Sequence, residues 1–238
     1  MLAGTYAGST VKNFVYGVRA WHIIHRTAWK IDVGQLQALL TAGKRLTPAD
    51  TRKEEKIPWS LEYLEKICQG LNRKSPKDAA ILACLTTAFW GTARLGEVTV
   101  PDARGFKPSM HIKPSDVTFD VEDRNGLTQT ELHLPWTKAA KEKGEKIYWA
   151  QQEGSSDPKA ALANHLRINK PPVNRHLFAY KLGEGSRPMT RDSFIARIHK
   201  IAKANNLPPM AGHGIRVGST LEYLLRGISF NIVKFKGR

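Results

Sequence analysis

The chain has 238 residues, with 37 Lys and Arg against 21 Asp and Glu, a formal net charge of +16. That excess goes beyond what solubility requires and has the sign that phosphate backbones attract, so nucleic acid leads the candidate partners. The basic residues are spread through a chain that is 41% hydrophobic, which excludes a low-complexity basic tail and indicates a folded globule.

From the N-terminus, Ser9 and Thr10 precede Val11, Phe14, Val15, Val18 and His22, a helical spacing, with Lys12 and Arg19 on other faces as candidate DNA contacts. A shorter helix is expected from Val33 to Ala42, ending at Gly43. Thr47-Pro48 can open one more turn, and Arg52 to Lys56 reads as an exposed linker. A boundary is placed just before Pro58, dividing residues 1–56 from 57–238. Ser60 then caps a helix with Leu61, Leu64, Cys68 and Leu71 inward. Ser75-Pro76-Lys77-Asp78 is a helix start, with a capping Ser, Pro at the first position and an acid three after the cap. The helix that follows is apolar on nearly every side and must be central; Arg94 and Glu97 stand at its end.

From Asp116 to Trp149 the period becomes two. Val117, Phe119 and Val121 alternate, Asp123 to Gly126 supply a turn, Leu132, Leu134 and Trp136 alternate again, and Lys141 to Lys146 lead into Ile147-Tyr148-Trp149. This predicts a three-stranded antiparallel sheet in a mainly α chain, an α+β class. Helices return with Asp157-Pro158 capping Lys159 to Ile168 and Thr190 capping Arg191 to Ala204. Gly212-His213-Gly214-Ile215-Arg216 opens the last one. His213, Arg216, Thr220 and Tyr223 share one face; Val217, Leu221, Leu224, Leu225 and Ile228 form an apolar stripe expected to anchor the helix in the core.

The two cysteines, Cys68 and Cys84, fall in apolar-periodic segments and read as buried and reduced. The histidines show no metal spacing, and the pair His22 and His25 reads as structural, so no metal is implied. Residues Met1 to Tyr6 lack the pattern of a secretory signal, and the longest uncharged, mainly apolar run, Ala79 to Trp90, is too short to cross a bilayer. A soluble, intracellular protein without a membrane partner is expected.

An Arg ending a buried helix, a Lys beside a small sheet and H-x-x-R opening a later helix occur in that order. Through Thr92-Ala93-Arg94-Leu95-Gly96-Glu97, Trp136-Thr137-Lys138 and Gly212 to Arg216 with Ser219-Thr220-Leu221, the chain resembles the catalytic domain of tyrosine recombinases. These enzymes break and rejoin DNA, and the likeness is nearest to eukaryotic mobile-element members such as those of fungal Crypton-type elements. It covers about Ile57 to Arg238, with residues 1–56 resembling a partial helical core-binding domain. The resemblance implies double-stranded DNA as partner, self-association on DNA as a tetramer, nuclear location in a eukaryote, and no metal or other cofactor.

It also implies roles. Arg94 and Arg216 would hold the two non-bridging oxygens of a phosphodiester, a task suited to planar guanidinium forks. Lys138 would protonate the leaving 5′ oxygen, with Lys141 and Lys143 as alternatives for that role or as DNA contacts. His213 would hydrogen-bond the phosphate or assist proton transfer, and Glu97 would orient Arg94. Taken singly, Arg94 with Glu97 is an ordinary i, i+3 pair and Lys138 a solvated edge lysine. The family's further His or Trp and its nucleophilic tyrosine have no counterpart up to Arg238. Tyr223, about 10 Å along the helix from Arg216, is too distant to attack the same phosphate and reads as a packing residue. The expectation is a truncated, inactive recombinase or, alternatively, a non-catalytic DNA-binding protein of recombinase descent.

Overall fold

The computed structural model describes residues 2–51 and 57–237. The expected linker, Arg52 to Lys56, lies outside the described residues. The chain divides into two compact units, Met1–Glu55 and Lys56–Arg238.

The smaller unit pairs helix α1 (Gly8–Ile24) with α2 (Val33–Arg45), followed by a 3₁₀ turn at Ala49–Thr51. Asp32 starts α2 by accepting a hydrogen bond from the Gln35 amide at 3.0 Å. Gly43 does not end that helix: it lies buried inside it, and Leu46 is the cap. On α1, Phe14 and Val18 remain about half exposed, so the apolar spacing is present but largely uncovered within this unit.

The larger unit is built around α4 (Pro76–Trp90), whose residues from Asp78 onward are all buried. α3 (Leu61–Gln69), α5 (Leu95–Val98), α6 (Pro158–Asn169), α7 (Arg191–Ala204) and α8 (His213–Leu225) surround it, with α9 (Phe230–Gly237) after α8. Trp59, Phe89, Trp90, Trp149, Phe178 and Phe194 fill its core. Ser60, Asp157 and Thr190 cap α3, α6 and α7 by accepting backbone N–H bonds, which explains why those helix starts are legible locally. Ser75 departs from this: its hydroxyl makes no capping bond. Asp78 instead accepts from the Asn72 amide at 3.0 Å and takes both prongs of Arg197 at 2.8 and 2.6 Å, tying α4 to α7.

Strands β1 (Val117–Glu122), β2 (Thr128–Leu134) and β3 (Glu145–Trp149) form the antiparallel sheet in the order β1-β2-β3. The alternation expected for β1 fails because a bulge falls between Thr118 and Val121, with Asp120 at φ 54°, and Phe119 is left exposed. Trp136 lies beyond the end of β2. A small hairpin, β4 (Tyr180–Leu182) with β5 (Gly185–Arg187), and α9 carry no periodic signal in the sequence.

The apolar stripe expected to bury α8 is on its open side. Leu221, Leu224, Leu225 and Ile228 are exposed, whereas Gly214, Ile215, Gly218 and Ser219 are buried. Small residues win here because this face meets backbone. The Trp59 amide donates to the Gly214 carbonyl at 3.1 Å, and a Cβ at Gly218 would fall 2.1 Å from the Trp59 carbonyl oxygen.

Candidate functional site

α4 ends in a turn that redirects the chain toward α8. The Ala93 amide donates to the Ala88 carbonyl at 2.9 Å and the Thr92 amide to Phe89 at 3.0 Å, the paired bonds of a Schellman C-cap. The left-handed position of that motif ordinarily belongs to glycine, yet it is held by Thr92 at φ 51°. A β-branched side chain in this conformation costs roughly 1–2 kcal/mol. Glycine stands one residue earlier, at Gly91, where a Cβ would lie 2.7 Å from the Thr87 carbonyl oxygen. The Thr92 hydroxyl meets the Ser219 hydroxyl of α8 at 3.0 Å, and both residues are fully buried.

Arg94 follows as the N-cap of α5. The Glu97 carboxylate is almost wholly buried and serves it twice, accepting the Arg94 backbone amide at 2.8 Å and the guanidinium Nη1 at 2.9 Å. Leu95 then reaches the start of α8, for a Cβ on Gly212 would lie 2.8 Å from Leu95 Cδ2. Residues 92–95 therefore run alongside α8 from Ser219 back toward Gly212. Arg94 falls between these two contacts and Arg216 midway between the same two helix positions.

Arg216 is half-buried and donates from Nη2 to the Gly237 carbonyl of α9, while His213 is exposed on the first turn of α8. Tyr223 is spoken for. Its hydroxyl donates to the Trp90 carbonyl at 2.6 Å, Lys236 Nζ lies 4.8 Å from its ring centre, and burial pushes its phenol well above the ordinary value.

Lys138 is exposed on the turn after β2. The base of that turn is pinned by Thr137, which donates to Glu145 Oε2 at 2.5 Å and accepts from the Ala140 amide at 3.0 Å. Among the described residues the Lys138 ammonium makes no hydrogen bond or ion pair. Lys141 and Lys143 are exposed on the same loop; Lys143 also lines a cleft of about 870 Å³ between strands β2 and β3 and α9. Lys12 and Arg19 belong to α1 of the smaller unit, where the Lys12 ammonium stands 5.8 Å from the Tyr16 ring centre. The packing thus brings the Arg94 turn to the helix of His213 and Arg216, while among the described residues no hydrogen bond or ion pair joins Lys138 to either arginine. Thr92 and Ser219, which join the two parts, lie within the recombinase-like motifs but have no chemistry of their own to mark them in the sequence.

No protein-family model matches the chain, and no curated protein matches it in sequence. Among solved structures it is similar to a Flpe–Holliday junction complex, with a TM-score of 0.50 and 16% identity over 94% of this chain and 52% of that one. The fold is that of the tyrosine-recombinase catalytic domain. A second similar structure is an FLP recombinase–Holliday junction complex, at a TM-score of 0.45 and 16% identity over 85% of this chain and 51% of that one. The chain spans about half the length of the solved recombinase chains it matches.

Proposed function

We propose that this chain binds duplex DNA and serves recombination of the tyrosine-recombinase type, with Arg94 and Arg216 on the two non-bridging oxygens of one phosphodiester. The observation that supports this reading is the alignment of the Arg94 turn along α8, fixed at Ser219 and at Gly212, in a chain of net charge +16. In-line attack at phosphorus by a tyrosine oxygen builds charge on those oxygens and on the leaving 5′ oxygen, and two fixed guanidinium groups stabilise it where it develops. The product is a 3′-phosphotyrosyl bond, and the 5′ oxygen leaves with a proton. His213 stands beside Arg216 to hydrogen-bond the phosphate. Lys138 supplies the proton once its exposed turn folds over the bound duplex.

Tyr223 is not the attacking group, because its hydroxyl is held by the Trp90 carbonyl. That commitment also favours the second reading, a DNA-binding protein of recombinase descent that cuts nothing. Incubated with a nicked suicide duplex, the chain is expected to give no denaturation-resistant protein–DNA band. A band that disappears in Tyr223→Phe overturns the assignment of that residue.

Binding itself is tested by salt. Affinity for duplex DNA should fall linearly on a log–log plot, with a slope of about −0.9 for each phosphate neutralised. Arg94→Ala and Arg216→Ala should each reduce that slope by about 1. An affinity indifferent to salt, or slopes unchanged in both variants, would sink the reading.

A further inference from the structure

The Thr92–Ser219 pair has a feature that packing alone does not account for. The C-cap of α4 requires a left-handed residue, glycine is the residue that adopts it without strain, and a glycine is present one position too early to serve. The strained position carries instead a β-branched residue with a hydroxyl, and that hydroxyl spans 127 residues of sequence to a serine in α8. Strain of this kind persists where the surroundings over-determine it, and it gathers at functional sites. Thr92 lies two residues before Arg94, and Ser219 lies three after Arg216.

We propose that Thr92 and Ser219 are positioning residues whose buried hydroxyl–hydroxyl bond sets the spacing between the Arg94 and Arg216 guanidinium groups, so that one phosphate can engage both. The inference rests on the reading that these two arginines share a phosphate. Neither hydroxyl touches the phosphate. Each acts through the backbone that carries its arginine: the bond holds residues 92–94 against α8, between the Tyr223–Trp90 hydrogen bond on one side and the Gly212–Leu95 contact on the other.

Thr92→Gly separates this role from a merely structural one, because it relieves the backbone while deleting the hydroxyl. Thr92→Gly/Ser219→Ala removes both partners and leaves no buried hydroxyl unsatisfied. Thr92→Ser keeps the bond. The probe is inorganic phosphate, titrated into the intact chain while the side-chain Nε–H signals of Arg94 and Arg216 are followed by NMR, with melting temperatures measured in parallel.

In the unsubstituted chain and in Thr92→Ser the two signals are expected to move together with a single dissociation constant. In Thr92→Gly and in the double variant they should separate into two constants, each about tenfold weaker, while the melting temperature of the double variant stays within about 3 °C. Variants that keep the shared constant overturn the positioning role and leave the two-arginine site standing. Binding losses matched by equal falls in melting temperature in every variant also overturn it, since a structural bond gives that result. If neither arginine signal of the unsubstituted chain responds, the shared-phosphate reading fails, and this inference with it.

Discussion

Gly218→Ala is expected to destabilise the larger unit by about 3 kcal/mol. The added methyl would fall 2.1 Å from the carbonyl oxygen of Trp59 and 2.8 Å from its amide nitrogen, and backbone atoms cannot swing aside as the end of a side chain can. Trp59 is itself fixed by burial of its indole and by the bond to Gly214, so relief requires the whole of α8 to move outward. That movement separates Ser219 from Thr92. Gly96→Ala is the control, because a Cβ there meets nothing within 4 Å in an ordinary helical position. Urea denaturation should show a large drop in midpoint for Gly218→Ala and none for Gly96→Ala; similar midpoints for the two would contradict the close approach of α8 to Trp59.

The second large effect is acid lability centred on two buried histidines. Burial, opposed by the Leu177 carbonyl, lowers His165 from 6.5 to about 4; burial, reinforced by His111 and His165, lowers His176 to about 3. The tautomer of His165 is defined by its partners: Asn169 Nδ2 donates to Nδ1 at 2.9 Å, so Nε2–H donates to the Leu177 carbonyl at 2.8 Å. A proton on Nδ1 would face another donor. Below pH 6.5 the unfolded chain takes up protons that the folded chain refuses, so stability falls as pH drops and continues to fall until the folded values are reached. At pH 5 the loss is about 2 kcal/mol for each histidine, or about 4 kcal/mol together.

Asp78 adds to this only at lower pH. Burial alone would raise its carboxyl, but the Arg197 fork and the Asn72 amide hold it below 3.8, so its contribution is lost as pH falls beneath that value. Urea midpoints at pH 7 and pH 5, at one ionic strength, measure the histidine effect. His176→Phe places a ring of similar shape among Phe106, His111 and Phe178 and should halve the pH dependence. An unchanged dependence would show that His176 is not among the groups responsible.

Chain chemistry was most legible where a few neighbouring residues decide the outcome. Ser60, Asp157 and Thr190 announce their helices because the capping oxygen and the amide it accepts lie within three residues of each other. The Arg94–Glu97 pair was legible for the same reason, its partners lying three residues apart, whereas the roles of Arg94, Glu97, His213 and Arg216 at a phosphate belong to the proposal. The buried face of α8 could not be seen. Periodicity locates large apolar residues, whereas half of this buried face is Gly214 and Gly218, whose contribution is the absence of a side chain. The bulge at Asp120 and the capping role lost by Ser75 depend on partners supplied by other elements. The Thr92–Ser219 bond was out of reach for the same reason.

Several hydrogen bonds of the larger unit join distant parts of the chain. Tyr63 donates to the Pro208 carbonyl across 145 residues, Tyr223 to Trp90 across 133, and Thr92 meets Ser219 across 127. Contacts of such long sequence separation must pay loop-closure entropy before any of them forms, which slows folding and places their assembly late. During synthesis α4 emerges with its apolar surface long before α8 exists to cover the turn at its end. The turn that carries Arg94 thus meets α8 only in the last stage of folding, and a nascent chain lacking α8 leaves that turn uncovered.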